Sequence, residues 1–139
     1  MSETLYVAVV DDDEGVCRSV SRLLRAAGFQ AVSYLSAEAF LCDTKQPRFD
    51  CLVLDVQLGG LSGIELAERL ASSHQSTPVV FITAHDAPDV RARALRIPRA
   101  TYLAKTEPAE AVFAAIRRAV QSNAPSQLQE ADRGGSSGL

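Results

Sequence analysis

Four carboxylates in this sequence follow two apolar runs. Asp11, Asp12 and Asp13 end the first run, and Asp55 ends the second. Acids gathered at one place in a fold repel one another, which raises their pKa values unless a cation neutralises them. Carboxylate and carbonyl oxygens are the ligands that Mg²⁺ prefers, and this ion usually works beside phosphate oxygens. The residue types therefore predict magnesium-dependent phosphoryl chemistry.

The elements that must position these acids are strands alternating with helices. Five apolar runs of strand length occur, at Leu5–Val10, Gln30–Leu35, Cys51–Leu54, Val79–Ile82 and Thr101–Leu103. Parallel strands need crossover connections, so this alternation predicts a parallel sheet covered by helices on both faces. We expect an α/β fold of the (βα)5 type, a doubly wound sheet of strand order 2-1-3-4-5 as in flavodoxin.

The helical segments carry apolar stripes that should face the sheet. In the first, third, fourth and fifth helices these are Val16, Val20, Leu23, Leu24 and Ala27; Ile64, Ala67, Leu70 and Ala71; Val90, Ala94 and Leu95; and Val112, Ile116, Ala119 and Val120. Gly28 is predicted to end the first helix in a left-handed conformation. Ser36 is predicted to cap the second helix.

The strand ends of such a sheet form one edge, and ligands bind there at the point where the strand order reverses. This edge should bring together the acids after strand one, Asp55 after strand three, Thr83 after strand four and Lys105 after strand five. Each residue also has a simple structural explanation. Asp13 could cap the first helix, Asp55 could form a turn, Thr83 could satisfy backbone groups and Lys105 could be a solvated charge. Their coincidence at one edge favours a site.

The chemistry assigns roles at this edge. A carboxylate can act as the nucleophile of phosphoryl transfer and form an acyl phosphate, and Asp55 is the best candidate. The cation would bridge Asp12, Asp55 and a backbone carbonyl near Gln57, with Asp11 acting through water. Lys105 and Thr83 would contact the phosphoryl oxygens.

Composition limits the class of protein. The chain has 139 residues, of which 47% are hydrophobic and 22% charged, and this is typical of one globular domain. The net charge of −3 offers no broad basic surface, so we expect no direct nucleic-acid binding. Neither a signal peptide nor an apolar stretch long enough to span a membrane is recognisable.

The three cysteines and the end of the chain add two expectations. Cys17, Cys42 and Cys51 are odd in number and widely spaced, which predicts buried thiols in a reducing compartment, and hence the cytoplasm. Residues 1–121 should form the folded domain. Residues 122–139, rich in Ser, Gly and Gln, should be a flexible tail or a truncated linker.

Taken together, these residues resemble the receiver domain of two-component response regulators, over roughly Leu5 to Val120. The resemblance is carried by Asp11-Asp12, Asp55, Thr83-Ala84, Tyr102 and Lys105. The segments 23–29 and 36–41 are similar to the FixJ branch, whose members usually carry a DNA-binding helix-turn-helix domain after the receiver.

The resemblance implies a phosphorylation switch with Mg²⁺ held by Asp11, Asp12, Asp55 and Gln57. A sensor histidine kinase or a histidine phosphotransfer protein would donate the phosphoryl group to Asp55. Thr83 would then move toward the phosphate and Tyr102 would turn inward. The face formed by the fourth helix, fifth strand and fifth helix would change partners, which include an output domain, a transcriptional output among them, or a second copy in a homodimer. Gln57 and His85 would tune the lifetime of the phosphate.

Three segments depart from the family pattern and predict an unusual output face. Lys105 is followed by Thr106 where a proline is usual, so we expect no cis peptide there. The loop Leu58-Gly59-Gly60-Leu61 lacks the usual proline and is therefore expected to be looser. Before the fifth strand, Ile97-Pro98-Arg99-Ala100 replaces an Ala-Gly-type turn.

Two other functions stay open at this point. A receiver-like adaptor or dimerisation module could work without phosphorylation, although the site residues are intact. A magnesium-dependent phosphatase with an aspartyl intermediate would need a second acid as general acid, which Asp55-Val56-Gln57 lacks. The sequence therefore favours a signalling switch over a turnover enzyme.

Overall fold

The computed structural model describes residues 4–73 and 76–122, and it confirms the predicted alternation of strands and helices. The strands are β1 (Tyr6–Val10), β2 (Gln30–Tyr34), β3 (Cys51–Asp55), β4 (Val79–Thr83) and β5 (Ala100–Ala104). The helices are α1 (Glu14–Ala26), α2 (Ala37–Cys42), α3 (Gly63–Ser72), α4 (Pro88–Leu95) and α5 (Ala109–Ser122). The predicted tail, residues 122–139, lies outside the described residues except for Ser122.

The five strands form one parallel sheet in the order β2-β1-β3-β4-β5, as predicted. In this order β1 and β3 are neighbours, and their register pairs Val10 with Leu54. The residues that follow these two partners, Asp11 and Asp55, therefore meet where the strand order reverses.

The two faces of the sheet bury separate cores because successive strand residues point to opposite sides. One core, with α1 and α5, takes Val7, Val9, Val53, Val80 and Ile82 from the sheet. The other, with α2, α3 and α4, takes Ala8, Val10, Leu52, Leu54 and Phe81. Burial on both faces fixes the positions of the strand ends.

Local hydrogen bonds set the starts of the first three helices. The side chains of Asp13, Ser36 and Ser62 each accept a hydrogen bond from a backbone N–H in the first turn. This confirms the predicted cap at Ser36, and Gly28, with φ of 100°, confirms the predicted left-handed residue after α1. Helix α4 differs, since its N-cap residue is Ala87, which offers no side-chain hydrogen bond.

The prediction of the apolar stripes is wrong for two residues. Leu23 and Leu95 are 47% and 46% exposed, and the buried face of α1 is formed by Cys17, Ser21 and Leu24. The physical reason is that α1 touches the sheet on one side and adjoins α5 on another. Leu23 lines a shallow apolar groove between α1 and α5 instead of the core.

The prediction of three buried thiols is correct for two cysteines and wrong for the third. Cys17 and Cys51 are buried and Cys42 is exposed, all three as free thiols. Cys42 is the last residue of the short helix α2, whose buried side is formed by Ala37 and Phe40. The apolar character of a cysteine therefore did not decide its burial.

The turn before β5, where the sequence departs from the family pattern, contains a left-handed residue that is not glycine. Arg99 adopts φ of 62°, a left-handed conformation that favours glycine, and its guanidinium donates a 2.6 Å hydrogen bond to the Ser76 carbonyl. Across residues 4–73 and 76–122 the peptide bonds are trans, in agreement with the expectation for Thr106. Within the same ranges, the helices are too short or too polar to cross a membrane.

Candidate functional site

Three carboxylates converge at the carboxyl ends of β1 and β3. The sheet ladder continues one residue beyond β1, where the Asp11 N–H donates to the Tyr34 carbonyl at 3.1 Å. Asp11 is fully buried and Asp55 is 4% exposed, whereas Asp12 is exposed. Oxygens of Asp11, Asp12 and Asp55 lie within 4.8 Å of one another, which is a separation suited to a shared metal ion.

Lys105 brings the positive charge to this cluster. Its backbone N–H donates to the Thr83 carbonyl at 2.7 Å, which extends the β4–β5 ladder and fixes where the side chain begins. The ammonium Nζ lies 3.0 Å from Asp55 Oδ2 and 3.1 Å from Asp11 Oδ2. Burial lowers the pKa of Lys105, but the hydrogen bonds and charges of Asp55 and Asp11 outweigh it, so its pKa is raised. Lys105 is therefore a fixed cation at the site.

Asp55 is held in an environment that opposes its ionisation. Burial raises the pKa of its carboxyl group, and the negative charge of Asp11 acts in the same direction. The Gln57 N–H donates to Asp55 Oδ1 at 3.0 Å and Lys105 binds Oδ2, and both contacts favour the carboxylate. Each oxygen of Asp55 therefore has a defined partner and direction.

The donor set of this cluster fits a divalent cation. Asp11 Oδ2 is buried, and its charged partner is the ammonium of Lys105, 3.1 Å away, which Asp55 shares. One lysine does not neutralise three clustered carboxylates, so a divalent cation would relieve their remaining repulsion. Asp11, Asp12 and Asp55 are the hard oxygen donors that Mg²⁺ takes.

Asp13 has the structural role that the sequence already suggested for it. Its Oδ1 accepts a hydrogen bond from the Val16 N–H at 3.1 Å and thereby caps α1. Its own N–H donates to Asp11 Oδ1 at 2.9 Å. Asp13 therefore orients Asp11 through the backbone, while its side chain is used by the helix.

Thr83 is buried at the end of β4, with its hydroxyl already engaged. Thr83 Oγ1 accepts from the His85 N–H at 3.1 Å and donates to the His85 carbonyl at 3.0 Å. Thr83 therefore has the structural role that the sequence also allowed, in which its hydroxyl satisfies nearby backbone groups. To reach a ligand on Asp55, the hydroxyl would have to release the His85 backbone. The side chains of His85 and Gln57 are exposed beside the cluster.

Tyr102 lies on β5 and is buried, at 7% exposure. The Arg91 guanidinium of α4 lies over its ring, 5.4 Å from the centroid. Burial raises the pKa of Tyr102, and the charge of Asp86 adds to this effect. Its hydroxyl has no hydrogen-bond partner of good geometry among the described residues, so Tyr102 is packed inward with an unused polar group.

Two residues that support the site were missed in the sequence. A side chain at Gly63 would collide with the Asp55 carbonyl oxygen, so glycine lets the start of α3 pack directly against the nucleophile candidate. The capping pair Ser62 and Glu65 beside it is a sequence signal that could have located this helix start. Cys17 donates its thiol to the Asp11 carbonyl at 3.1 Å, for which the sequence offers no signal.

Comparisons with known proteins agree with this geometry. The family model described as the response regulator receiver domain matches residues 7–117. The chain is 37% identical over 121 residues to nodulation protein W of Bradyrhizobium diazoefficiens, covering 84% of this chain and 53% of that protein. It is 32% identical over 130 residues to the transcriptional regulatory protein FixJ of Azorhizobium caulinodans, covering 94% of this chain and 62% of that protein.

Solved structures of response regulators are also similar to this chain. The crystal structure of FixJ-N superposes with a TM-score of 0.79 at 29% identity, covering 86% of this chain and 96% of that one. The response regulator StyR has a TM-score of 0.79 at 36% identity, covering 93% of this chain and 65% of that one. The chain thus spans a little more than half the length of the curated relatives it matches.

Proposed function

Because this chain belongs to the receiver-domain family of two-component response regulators, we propose that it accepts a phosphoryl group on Asp55 from a histidine kinase or a histidine phosphotransfer protein. The observation that carries the proposal is the position of Lys105 Nζ, 3.0 Å from Asp55 Oδ2 and 3.1 Å from Asp11 Oδ2. A buried nucleophile, a fixed cation and a second acid at one strand edge are the parts that such a transfer requires.

In the proposed transfer, an ionised oxygen of Asp55 attacks the phosphorus atom of a phosphohistidine. An O–P bond forms and the P–N bond breaks, with its electron pair going to the ring nitrogen. The other ring nitrogen of the phosphohistidine carries a proton during the transfer, so the imidazole leaves as the neutral ring. The product is an acyl phosphate, the usual intermediate when a carboxylate acts as nucleophile. The Gln57 N–H holds Oδ1 of Asp55, so Oδ2 on the Lys105 side is the oxygen we assign to the attack.

Mg²⁺ would be held by Asp11, Asp12 and Asp55 with the carbonyl of Gln57, and when bound it would neutralise charge on the phosphoryl oxygens. Lys105 then exchanges its contact with Asp55 for one with a phosphoryl oxygen. Lysine is a cation at neutral pH, and before transfer the contacts with Asp55 and Asp11 raise its pKa further. The cation is therefore available both before and after transfer.

We propose that Thr83 and Tyr102 carry the signal away from the site. The new phosphoryl group would compete with the His85 backbone for the Thr83 hydroxyl. Movement of Thr83 would change the packing of the inward Tyr102 and of Arg91 above it. The face of α4, β5 and α5 would then exchange partners, either an output domain or a second copy of the chain. Gln57 and His85 are proposed to tune the lifetime of the phosphate.

Control of transcription is the output that the relatives favour. FixJ of Azorhizobium caulinodans is a transcriptional regulatory protein by name, and this chain covers 62% of it. We propose that residues 122–139 act as a linker to such an output, and that the receiver itself makes no nucleic-acid contact. The three free thiols fit a cytoplasmic location.

The function is tested by intact-protein mass spectrometry after incubation with acetyl phosphate, with and without Mg²⁺. We expect the wild type to gain one phosphoryl group only when Mg²⁺ is present. Asp55→Asn should keep the fold and gain none. Asp13→Asn is the matched control and should gain one, because asparagine also caps a helix. Labelling of Asp55→Asn would show that the nucleophile is misassigned.

A wild type that neither gains a phosphoryl group nor binds beryllofluoride would contradict the proposal. That result would favour the adaptor or dimerisation module that works without phosphorylation.

The metal assignment has a separate test in Asp12→Ala. We expect Mg²⁺ affinity to fall roughly tenfold or more, since even the partners of metal ligands contribute about 10- to 100-fold. Calorimetric titration measures this, and Asp13→Asn again serves as the control. Unchanged affinity in Asp12→Ala would mean that Asp12 is not a ligand.

A further inference from the structure

The segment between β3 and α3, residues 56–62, joins Asp55 to the next helix and is held at both ends. At its start the Gln57 N–H donates to Asp55 Oδ1, and at its end Ser62 and Glu65 form a reciprocal capping box. Gly63 N–H also donates to the Val56 carbonyl at 3.3 Å. We call this segment the β3–α3 loop.

The middle of the β3–α3 loop is held from a different helix. The Leu61 N–H donates to Glu38 Oε2 at 2.9 Å, although the two residues are 23 positions apart in the chain. Glu38 lies in the first turn of α2, whose start is fixed by the Ser36 cap. The carboxylate is therefore presented from a regular element to a loop that contains two adjacent glycines.

Gly60 is shaped for this contact. Its φ of 77° is left-handed, and a β-carbon on it would lie 2.9 Å from Glu38 Oε2. Gly59 beside it has open space where a side chain would be. The two glycines are thus not equivalent, since only Gly60 both adopts a positive φ and lets the Glu38 carboxylate approach the backbone.

The contact also has an electrostatic signature. The hydrogen bond from Leu61 lowers the pKa of Glu38, so the carboxylate is ionised and a good acceptor at neutral pH. Leu58 and Leu61 pack in part against the core with α2 and α3. Loss of the Glu38 bond would therefore free the two glycines between two partly anchored leucines.

We propose that Glu38 is a positioning residue for the phosphoacceptor site. It fixes the β3–α3 loop and, through Gln57, the orientation of the Asp55 carboxylate and of the Gln57 carbonyl. This inference rests on the proposed function, because it concerns the metal and phosphoryl affinity of the same site. A glycine pair without proline has many conformations. Each conformation that moves Gln57 away from Asp55 lowers the apparent Mg²⁺ affinity in proportion to its population.

The experiment compares the full chain with Glu38→Ala, Glu38→Gln and the matched control Glu110→Ala. Glu110 is likewise an exposed glutamate in the first turn of a helix, at the start of α5. The readouts are Mg²⁺ affinity by calorimetry, amide exchange of Gln57 and Leu61 in the metal-free protein by NMR, and the thermal midpoint.

For Glu38→Ala we expect faster exchange at both amides and Mg²⁺ affinity weakened by roughly three- to tenfold, as for loss of one hydrogen bond. Glu38→Gln should recover most of the affinity, because its amide oxygen can accept the same bond. Glu110→Ala should match the wild type. The thermal midpoint of Glu38→Ala should fall by at most a few degrees, as for loss of one exposed hydrogen bond, so the protein stays fully folded where Mg²⁺ affinity is measured and general unfolding is excluded as the cause.

Two results would overturn the inference. One is Mg²⁺ affinity and amide exchange of Glu38→Ala equal to those of Glu110→Ala. The other is a Glu38→Gln variant as weak as Glu38→Ala, which would assign the effect to charge instead of the bond to Leu61. Failure of the proposed function is distinguishable, because it appears in the wild type as absent phosphoryl gain, whatever the Glu38 variants do.

Discussion

The two loops that follow β3 and β4 are built in opposite ways. The β3–α3 loop is held by Gln57, by the Glu38 carboxylate and by the Ser62 capping box. The β4–α4 loop, residues 84–87, is held by the paired contacts of Thr83 with His85 and leads into a helix without a side-chain cap. One loop is fixed in several places and the other in few.

The helices after these loops differ in the same direction. α3 buries Gly63, Ile64, Leu66, Ala67 and Leu70, whereas α4 buries Ala94. Besides Ala94 and the partly buried Val90, which pack against the core, α4 is held by the ion pair of Arg93 with Glu68 and by Arg91 over Tyr102. Few buried contacts and exposed polar ones mark segments that open easily. The β3–α3 loop and α3 thus form a firmly held half around Asp55, the proposed nucleophile. The β4–α4 loop and α4 form a weakly held half, on the face that is proposed to exchange partners.

The largest loss of stability is expected from Gly63→Ala, which disturbs the packing of α3 against the end of β3. The new methyl group would meet the Asp55 carbonyl, a backbone atom that cannot rotate away. We expect the free energy of unfolding to fall by roughly 3 kcal/mol, the upper end for overpacking, as measured by urea denaturation. Gly59→Ala is the control and should change stability little, because nothing lies within 4 Å of the added atom. Equal losses would mean that the packing of α3 against Asp55 is not specific.

A pair of capping variants should reduce the difference between the halves. Ser62→Ala removes the cap of α3 and should cost about 1 kcal/mol of stability. Ala87→Ser adds the missing cap to α4, at a residue whose φ of −125° and ψ of 133° already suit a cap, and should contribute about 0.5–1 kcal/mol. Hydrogen exchange across residues 88–95 should slow in Ala87→Ser. Unchanged exchange would show that α4 is not limited by its start.

The smallest effect on stability is expected from removal of the ion pair between α3 and α4. Arg93 binds Glu68 through two hydrogen bonds of 3.0 and 2.8 Å, but the side chains are 45% and 42% exposed, so water screens the pair and it adds little to stability. The hydrogen bond from Arg93 lowers the pKa of Glu68 from its ordinary value of 4.5. Its stabilisation is therefore present above that value and is lost as pH falls through the lower folded-state pKa.

A double-mutant cycle of Arg93→Ala and Glu68→Ala checks this sign. The coupling should be small and favourable at neutral pH and absent in acid below the folded-state pKa of Glu68. A coupling that persists in acid would mean that packing, and not charge, joins α3 to α4.

The sequence was sufficient for the parts of the fold that depend on local signals. Strand positions follow from the apolar runs. The meeting of Asp11, Asp55 and Lys105 follows from where each run ends, once the doubly wound order 2-1-3-4-5 is adopted. Asp11 and Asp55 follow paired residues of the neighbouring strands β1 and β3 and must therefore be close, whereas the long side chain of Lys105 reaches them from β5 across the end of β4. This is why the site was easier to predict than the faces of its helices.

The remaining features depend on contacts between distant segments. Leu23 and Leu95 satisfy helical periodicity, yet both are exposed, and Leu23 lines a surface groove instead of the core. The bond from Leu61 to Glu38 joins two segments by a single carboxylate with no spacing rule. The start of α3 at Gly63 lies between these cases, since its cap could be read but its contact with Asp55 could not.

The exposed thiol of Cys42 makes the unmodified chain suitable for labelling. Burial raises the pKa of Cys51 to about 12 and raises that of Cys17, so neither buried thiol competes for a thiol-reactive dye. Cys42 lies one helical turn after Glu38 on α2, on the same side of the helix. A single fluorophore can thus be attached next to the β3–α3 loop without any engineered cysteine, and its emission would report opening of that loop in real time.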